Sequence, residues 1–249
     1  MSTLKIIKRI NILGIPIDIL KFNDALKKIN HFIQSSKYHQ VATVNPEFII
    51  EAQKNKKFKK VLLNTSLSTV DGHGILFALW FLKNIKLWPS VTGVDLFWAI
   101  AKLAEDKKYK IFLLGGGPGI AKRTAKRIKI VHPQINIVGT YPGSTKETKH
   151  IIKMINKAQP NILFVAWGAP KQEVWIYDNS HKFKNPLVAM GVGGTFDFIV
   201  GEQIRAPKWM RKLGLEWLYR LIKEPKRYKR IYNAVIKFPA LVIWDTLKR

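Results

Sequence analysis

YKIFLLGGGPGIAKRTAKRIKIV, residues 109–131, is the stretch whose reading decides the fold. Its first third is a run of apolar residues suited to a buried strand, and its last half has the spacing of a helix. Between them lie four glycines and Pro118, which suits a first helical turn because its missing N–H is not needed there. Strand, glycine turn and helix together form the unit from which a parallel sheet is wound.

The same alternation extends to both sides. Apolar runs recur as QVATVN (40–45), LSTV (67–70), INIVGT (135–140), NILFVAWG (161–168) and PLVAMGVGG (186–194). Segments of helical period separate them, among them PEFIIEAQKNKKFKKVL (46–62), VDLFWAIAKLAE (94–105) and ETKHIIKMINKA (147–158). The expected fold is α/β, a Rossmann-like parallel sheet with helices on both faces. Ligands of such sheets bind at the carboxyl ends of the strands. That rule puts Asn45, Asp71, the Gly115–Gly119 turn, Tyr141, Trp167–Lys171 and Gly193–Asp197 on one edge as a single candidate site. INILGIPIDIL (10–20) reads instead as a hairpin turning near Gly14 and Pro16.

The chain has 249 residues, 47% of them apolar, enough for a large core. It has no cysteine, which removes disulfides, thiolate nucleophiles and zinc–thiolate sites. The basic N-terminal stretch is interrupted by Lys5, Lys8, Arg9, Asn11 and Asp18, so no signal peptide is expected. No segment reaches the ~18–20 apolar residues of a spanning helix, and FPALVIW (238–244) comes nearest. With 43 Lys and Arg against 16 Asp and Glu, the net charge is +27. Such charge attracts phosphate, whether of nucleic acid, an anionic lipid leaflet or a lipid pyrophosphate.

Two domains are expected: a core over residues 1–204 and a basic, aromatic, mostly helical appendage over 205–249. From Arg205 to Arg249 there are thirteen Lys or Arg against three acids. The appendage reads as amphipathic helices broken at Pro225 and Pro239, and removing it is expected to spare the core fold. Trp and Tyr interleaved with Arg220, Lys223, Lys226, Arg227 and Arg230 suit an anionic membrane surface, although a solvated basic helix has the same look.

Four motifs have chemical content. The glycine turn offers Gly116, Gly117 and Gly119 as a phosphate cradle, or is a plain tight turn. It lacks the third glycine and the ribose acid of a dinucleotide fingerprint, and the ending of a P-loop. In WGAPKQEVW (167–175), Lys171 can reach a phosphate, Gln172 a sugar hydroxyl, and Glu173 can complement the helix dipole. In GVGGTFDFIVGEQIRAP (191–207), Gly194 precedes Asp197, whose flanking Phe196 and Phe198 either sandwich a base or belong to the core. Tyr141, in GTYPG (139–143), either stacks on a base or lines a turn. The six histidines show no i, i+4 pair and the acids no D-x-D spacing, so no metal is expected. His73 reads as an exposed loop residue.

Taken in order, ATVNPE, STVDGHGI, VTGVDL, LLGGGPGIA, GTYPG, GAPKQEVW, GVGGTFDFIVGEQIRAPKWM and GLEWLYRLIKEPKRYKR closely resemble the bacterial mannosaminyltransferases of glycosyltransferase family 26. That family includes the teichoic-acid linkage-unit and enterobacterial-common-antigen enzymes, and the resemblance runs from about residue 10 to 235. It implies a metal-independent, inverting transfer of N-acetylmannosamine or its uronic acid. The donor would be a UDP-sugar and the acceptor an undecaprenyl-pyrophosphate-linked saccharide in cell-surface polysaccharide synthesis. The work would be done in the cytoplasm, on the inner face of the cell membrane.

By position, the resemblance makes Asp71 the general base, puts Thr43 and Asn45 in the TVN motif and Gln172 in PKQE, and makes Arg220, Arg227 and Arg230 the appendage arginines. One departure is Ser90, where the family usually has an arginine before VTG. Its charge is then supplied by Lys86 or by the appendage, or the donor differs, or activity is weakened. Asp71 has a competing role as N-cap of a helix over GHGILFALWFLK. The competing functions are an RNA- or DNA-binding protein using the tail, and a nicotinamide-dependent oxidoreductase. The tail also permits self-association, with no subunit count implied.

Overall fold

The strand runs form one six-stranded parallel sheet because their alternate residues serve two cores. In β5 (Lys110–Gly115), Ile111 and Leu113 face one core while Phe112 and Leu114 face another; in β7 (Ile162–Ala166), Ile162 and Phe164 oppose Leu163 and Val165 in the same way. A strand buried on both faces has no polar face to show, so it reads as a continuous apolar run. The computed structural model describes residues 8–85 and 90–248. Lys5 and Lys86 lie outside the described residues.

In chain order, β1 (Lys8–Ile12) and β2 (Ile15–Ile19) make the antiparallel hairpin, then α1 (Phe22–Gln34), β3 (His39–Val44), α2 (Pro46–Lys54), α3 (Lys56–Leu63), β4 (Leu67–Val70), α4 (His73–Lys83) and α5 (Gly93–Lys107) follow. After β5 come α6 (Ile120–Val131), β6 (Asn136–Tyr141), α7 (Thr148–Ala158), β7, α8 (Lys171–Asn179), β8 (Val188–Gly191) and α9 (Thr195–Val200). The order across the sheet is β4-β3-β8-β7-β5-β6, all neighbours parallel. The hairpin packs on β4, and buried Asp18 binds both Arg9 and the Ser68 N–H (2.7 Å), which satisfies an edge-strand donor.

Two helical readings are refined. The run 46–62 is two helices, because the Asn55 side chain accepts from the Phe58 N–H and starts α3. Helix α6 starts at Ile120, with Gly119 as N-cap, so Pro118 sits in the preceding turn and not in the first helical turn. That turn holds Gly115, Gly116, Gly117 and Gly119 at φ between 75° and 104°, a region that side chains with a Cβ rarely occupy.

The appendage is helical throughout: α10 (Lys208–Lys212), α11 (Glu216–Lys223), α12 (Tyr228–Tyr232), a π turn (Asn233–Lys237) and α13 (Phe238–Leu247). Pro225 does interrupt it, while Pro239 does not. Pro239 has no N–H for the usual i−4 bond, and the turn before it widens so that the Phe238 N–H bonds the Asn233 carbonyl. Nor is the appendage separable from the core. Phe238 (0% exposed) and Val242 (1%) belong to the same apolar cluster as Phe48, Ile49, Ile75 and Leu79, and Ala206 and Met210 are also buried. Deleting 205–249 therefore uncovers core surface. Phe238→Ala is expected to cost about 3–5 kcal/mol, measured by chemical denaturation, from lost burial plus the cavity left behind.

Candidate active site

The carboxyl ends of β3, β4, β5, β7 and β8 surround a cavity of about 440 Å³, roofed by the appendage. Thr43, Asn45, Asp71, Gly116, Gln172, Gly194 and Asp197 line it from the core, and Arg220, Arg227 and Arg230 line it from the appendage. Ten of the fourteen expected site residues thus share one cavity. The other four do not line it. Tyr141 ends the edge strand β6, beyond β5, and its hydroxyl is bonded to Glu147. Gly117 and Gly119 are on the exposed outside of their turn. Lys171 starts α8 facing solvent, and Gln172, about 100° further round the helix, turns inward.

Asp71 follows β4 at the cavity floor, its side chain partly open to the cavity. It does not cap α4, whose N-cap is Gly72 at φ 88° with no side-chain bond. Its Oδ2 instead accepts, at 3.4 Å, the N–H of Gly93, the first residue of α5. Burial pushes its pKa up to about 7; the Gly93 N–H and Arg220 oppose that rise, while Glu216 and Asp95 add to it. The VTGVD motif becomes intelligible here. Thr92 caps α5, and Gly93, having no Cβ, lets the helix start approach Thr43 Oγ1 and Asp71. Asp95 takes bonds from Thr92 Oγ1 (2.7 Å) and Arg205 Nη1 (2.8 Å).

Asn45 has two duties: it lines the cavity and caps α2, its Oδ1 accepting from the Phe48 N–H at 3.1 Å. Gln172 is not free for a sugar hydroxyl through its carbonyl. That oxygen accepts from the Gly168 N–H (2.9 Å) and the Gly193 N–H (3.0 Å), while Nε2 donates to Glu173 Oε1 (2.7 Å). Glu173 does not merely face the helix dipole from solvent; it is fully buried, and burial pushes its pKa up to about 7. The two phenylalanines beside Asp197 do not sandwich a base. Phe196 is wholly in the core against Phe97, and only Phe198 lines the cavity, under the Arg220 guanidinium at 5.2 Å. His73 is not an exposed loop residue either: it opens α4, its ring packed so close to Gly214 that a Cβ there would come within 2.9 Å.

Each cavity arginine is held by an acid. Arg220 pairs with Glu216 (2.7 Å), Arg227 with Glu224 (2.6 Å), Arg230 with Glu47 (2.7 Å) and Arg205 with Asp95. Arg205 and Glu216 are cavity residues that sequence reasoning did not single out. The signal for Glu216 was its place four residues before Arg220; for Arg205 it was its place in the chain just after the GVGGTFDF turn. Ser90 is not among the lining residues, so Arg205 and the appendage arginines are the cationic side chains of the wall. Among the described residues no group of three His, Asp or Glu side chains is placed to hold a metal ion.

The arrangement brings an acid of raised pKa, four arginines and backbone-rich glycine turns into one cavity. That combination can accept a proton and bind a diphosphate. The family model described as "Glycosyl transferase WecG/TagA/CpsF family" matches residues 10–249. The chain is similar to the N-acetylglucosaminyldiphosphoundecaprenol N-acetyl-beta-D-mannosaminyltransferase of Bacillus subtilis (strain 168), 35% identical over 87% of this chain and 83% of the relative. It is 32% identical to the enzyme of the same name from Bacillus spizizenii, over 88% and 86% of the two chains. With that of Staphylococcus aureus (strain MW2) the identity is 29%, over 92% and 90%.

Proposed function

The chain belongs to the WecG/TagA/CpsF family of glycosyl transferases, and on that premise we propose that it moves N-acetylmannosamine, or its uronic acid, from a UDP donor to an undecaprenyl-diphosphate-linked sugar. The names of its relatives supply the sugar and the lipid carrier. The observation that carries the reading is Asp71 in one cavity with four arginines, of which Arg220 acts on its pKa. In one in-line displacement, Asp71 takes the proton of the acceptor hydroxyl as that oxygen attacks the anomeric carbon, which inverts it. The bond to the UDP oxygen breaks, and Arg205, Arg220 and Arg227 receive the charge that develops on the diphosphate. No metal is assigned a part, because the arginines carry the countercharge.

The reaction is proposed to run at the inner face of the membrane, where the lipid-linked acceptor sits. No helix among the described residues is long and apolar enough to cross a membrane. Large exposed apolar residues nonetheless gather on α4 (Trp80, Phe81) and on the appendage (Trp209, Ile222, Tyr232, Trp244). Together with the basic charge they support a peripheral contact with anionic lipid. The nucleic-acid alternative finds no support: three tail arginines expected to face a polynucleotide line the cavity on acid partners.

Thermal unfolding with added nucleotide tests the reading. UDP at about 100 times its Kd should stabilise the protein by about 2.7 kcal/mol, raising Tm by several degrees, whereas NAD and an oligonucleotide should not. A shift with NAD or oligonucleotide and none with UDP would overturn it.

A further inference from the structure

Gly168 and Gly193 follow β7 and β8, and both line the cavity. Their N–H groups point at one oxygen, Gln172 Oε1, which identifies that atom as the carbonyl, since an amide NH₂ facing two donors would have no acceptor to offer. Gln172 therefore ties together the ends of two strands that form the glycine side of the site. Its own Nε2 donates to Glu173 Oε1. Glu173 is in turn seated by Gln40, whose Nε2 donates to the Glu173 backbone carbonyl at 3.0 Å. Strand β8 leaves room for the pair: a Cβ on Gly191 would collide with Glu173 Oε1 and Gln172 Nε2.

A carboxyl group here satisfies the Gln172 amide through Oε1 but is a costly way to do so. Glu173 is 0% exposed, and its Oε2 has no hydrogen-bond partner, an arrangement that costs free energy which an apolar side chain of the same shape would not. We propose that Glu173 is a positioning residue, which fixes the Gln172 amide so that its carbonyl holds the Gly168 and Gly193 turns in the geometry that receives the donor. It touches no substrate. Groups kept against stability in this way are expected where the active site needs a fixed geometry.

The test separates stability from function. Glu173→Met fills the same space and removes the unpartnered Oε2 but leaves Gln172 Nε2 without its acceptor; the two effects have opposite signs, so its Tm should stay close to that of the parent. Its kcat/KM for the UDP donor should fall about tenfold. Glu173→Gln retains an acceptor for Nε2 and should recover most of that loss. Amide hydrogen exchange should quicken at Gly168 and Gly193 in Glu173→Met while β7 and β8 stay protected. The exchange measurement needs no substrate, so it stands apart from the donor assignment on which the kinetic measurement rests. Unchanged kcat/KM and unchanged exchange in Glu173→Met would overturn the proposal. A Tm loss in step with the activity loss would also overturn it, by making Glu173 a packing residue.

Discussion

Asp71→Asn is expected to lower kcat by about 10²–10⁴-fold while leaving the fold and UDP-induced stabilisation in place. Asn presents a carbonyl oxygen where Oδ2 now meets the Gly93 N–H, so the contact that seats α5 against the end of β4 survives. The proton acceptor does not. Because the Asp71 side chain does not cap α4, loss of a helix cap cannot imitate loss of the base. An Asp71→Asn enzyme with near-parental turnover would remove Asp71 from the chemistry.

The raised pKa of Asp71 adds two pH signatures. A base must be ionised, so turnover should climb with pH through about 7, where burial has placed the group. Glu173 is pushed into the same range, so the profile is repeated in Glu173→Gln; a limb that stays in place belongs to Asp71. Stability runs the other way. The folded state holds its proton up to about 7, whereas the unfolded chain releases it near the ordinary carboxylate value of 3.8, so folding takes up a proton between these limits. The parent therefore loses stability through Asp71 as pH rises from about 4 to about 7, and Asp71→Asn retains only the similar loss through Glu173. The variant should be the more stable of the two at pH 8, by up to ~3 kcal/mol, with the gap closing as pH falls toward 4.

How much of this was legible depended on the range of the interaction involved. Five of the six sheet strands were readable because burial on both faces writes itself as a run of apolar residues, as in ILFVA of β7, while the edge strand β6 is only half-buried. The shared edge followed from parallel topology alone, and it placed Asp71 beside residues far away in sequence. Helix phase was less accessible. Which of Lys171, Gln172 and Glu173 turns inward depends on where α8 begins, and it begins after a turn that composition does not fix. Tyr141 looked equivalent to the other strand-end residues, but its strand took the edge position, and no local pattern encodes strand order. The seat of Phe238 was hidden as well. FPALVIW announces an apolar helix, but its partners are Phe48, Ile49 and Leu79 on α2 and α4, far earlier in the chain. The arginines could be counted in the sequence, but not all of their acid partners could be read there: Arg230 finds Glu47, 183 residues earlier in the chain.

Arg220→Ala is expected to lower kcat by about 10²–10³-fold, the usual cost of removing one donor from a developing oxyanion. Arg227→Ala should come close to it and Arg230→Ala well below it. Their side chains are 34%, 22% and 58% exposed, and the most exposed charge is the most weakened by water and salt. Arg220 has a second effect that the others lack. Its charge opposes the rise in Asp71 pKa while Glu216 adds to it, so removing Arg220 leaves Glu216 unpaired in the same cavity. The acid limb of the rate profile should then move to higher pH, and a second change, Glu216→Gln, should move it back without restoring kcat. Only an arginine that both binds the leaving diphosphate and balances the base gives that split. A chelator should leave the parent enzyme's turnover unchanged, since the countercharge in this account comes from guanidinium groups. Turnover abolished by chelator and restored by a divalent cation would transfer that duty from the arginines to a metal.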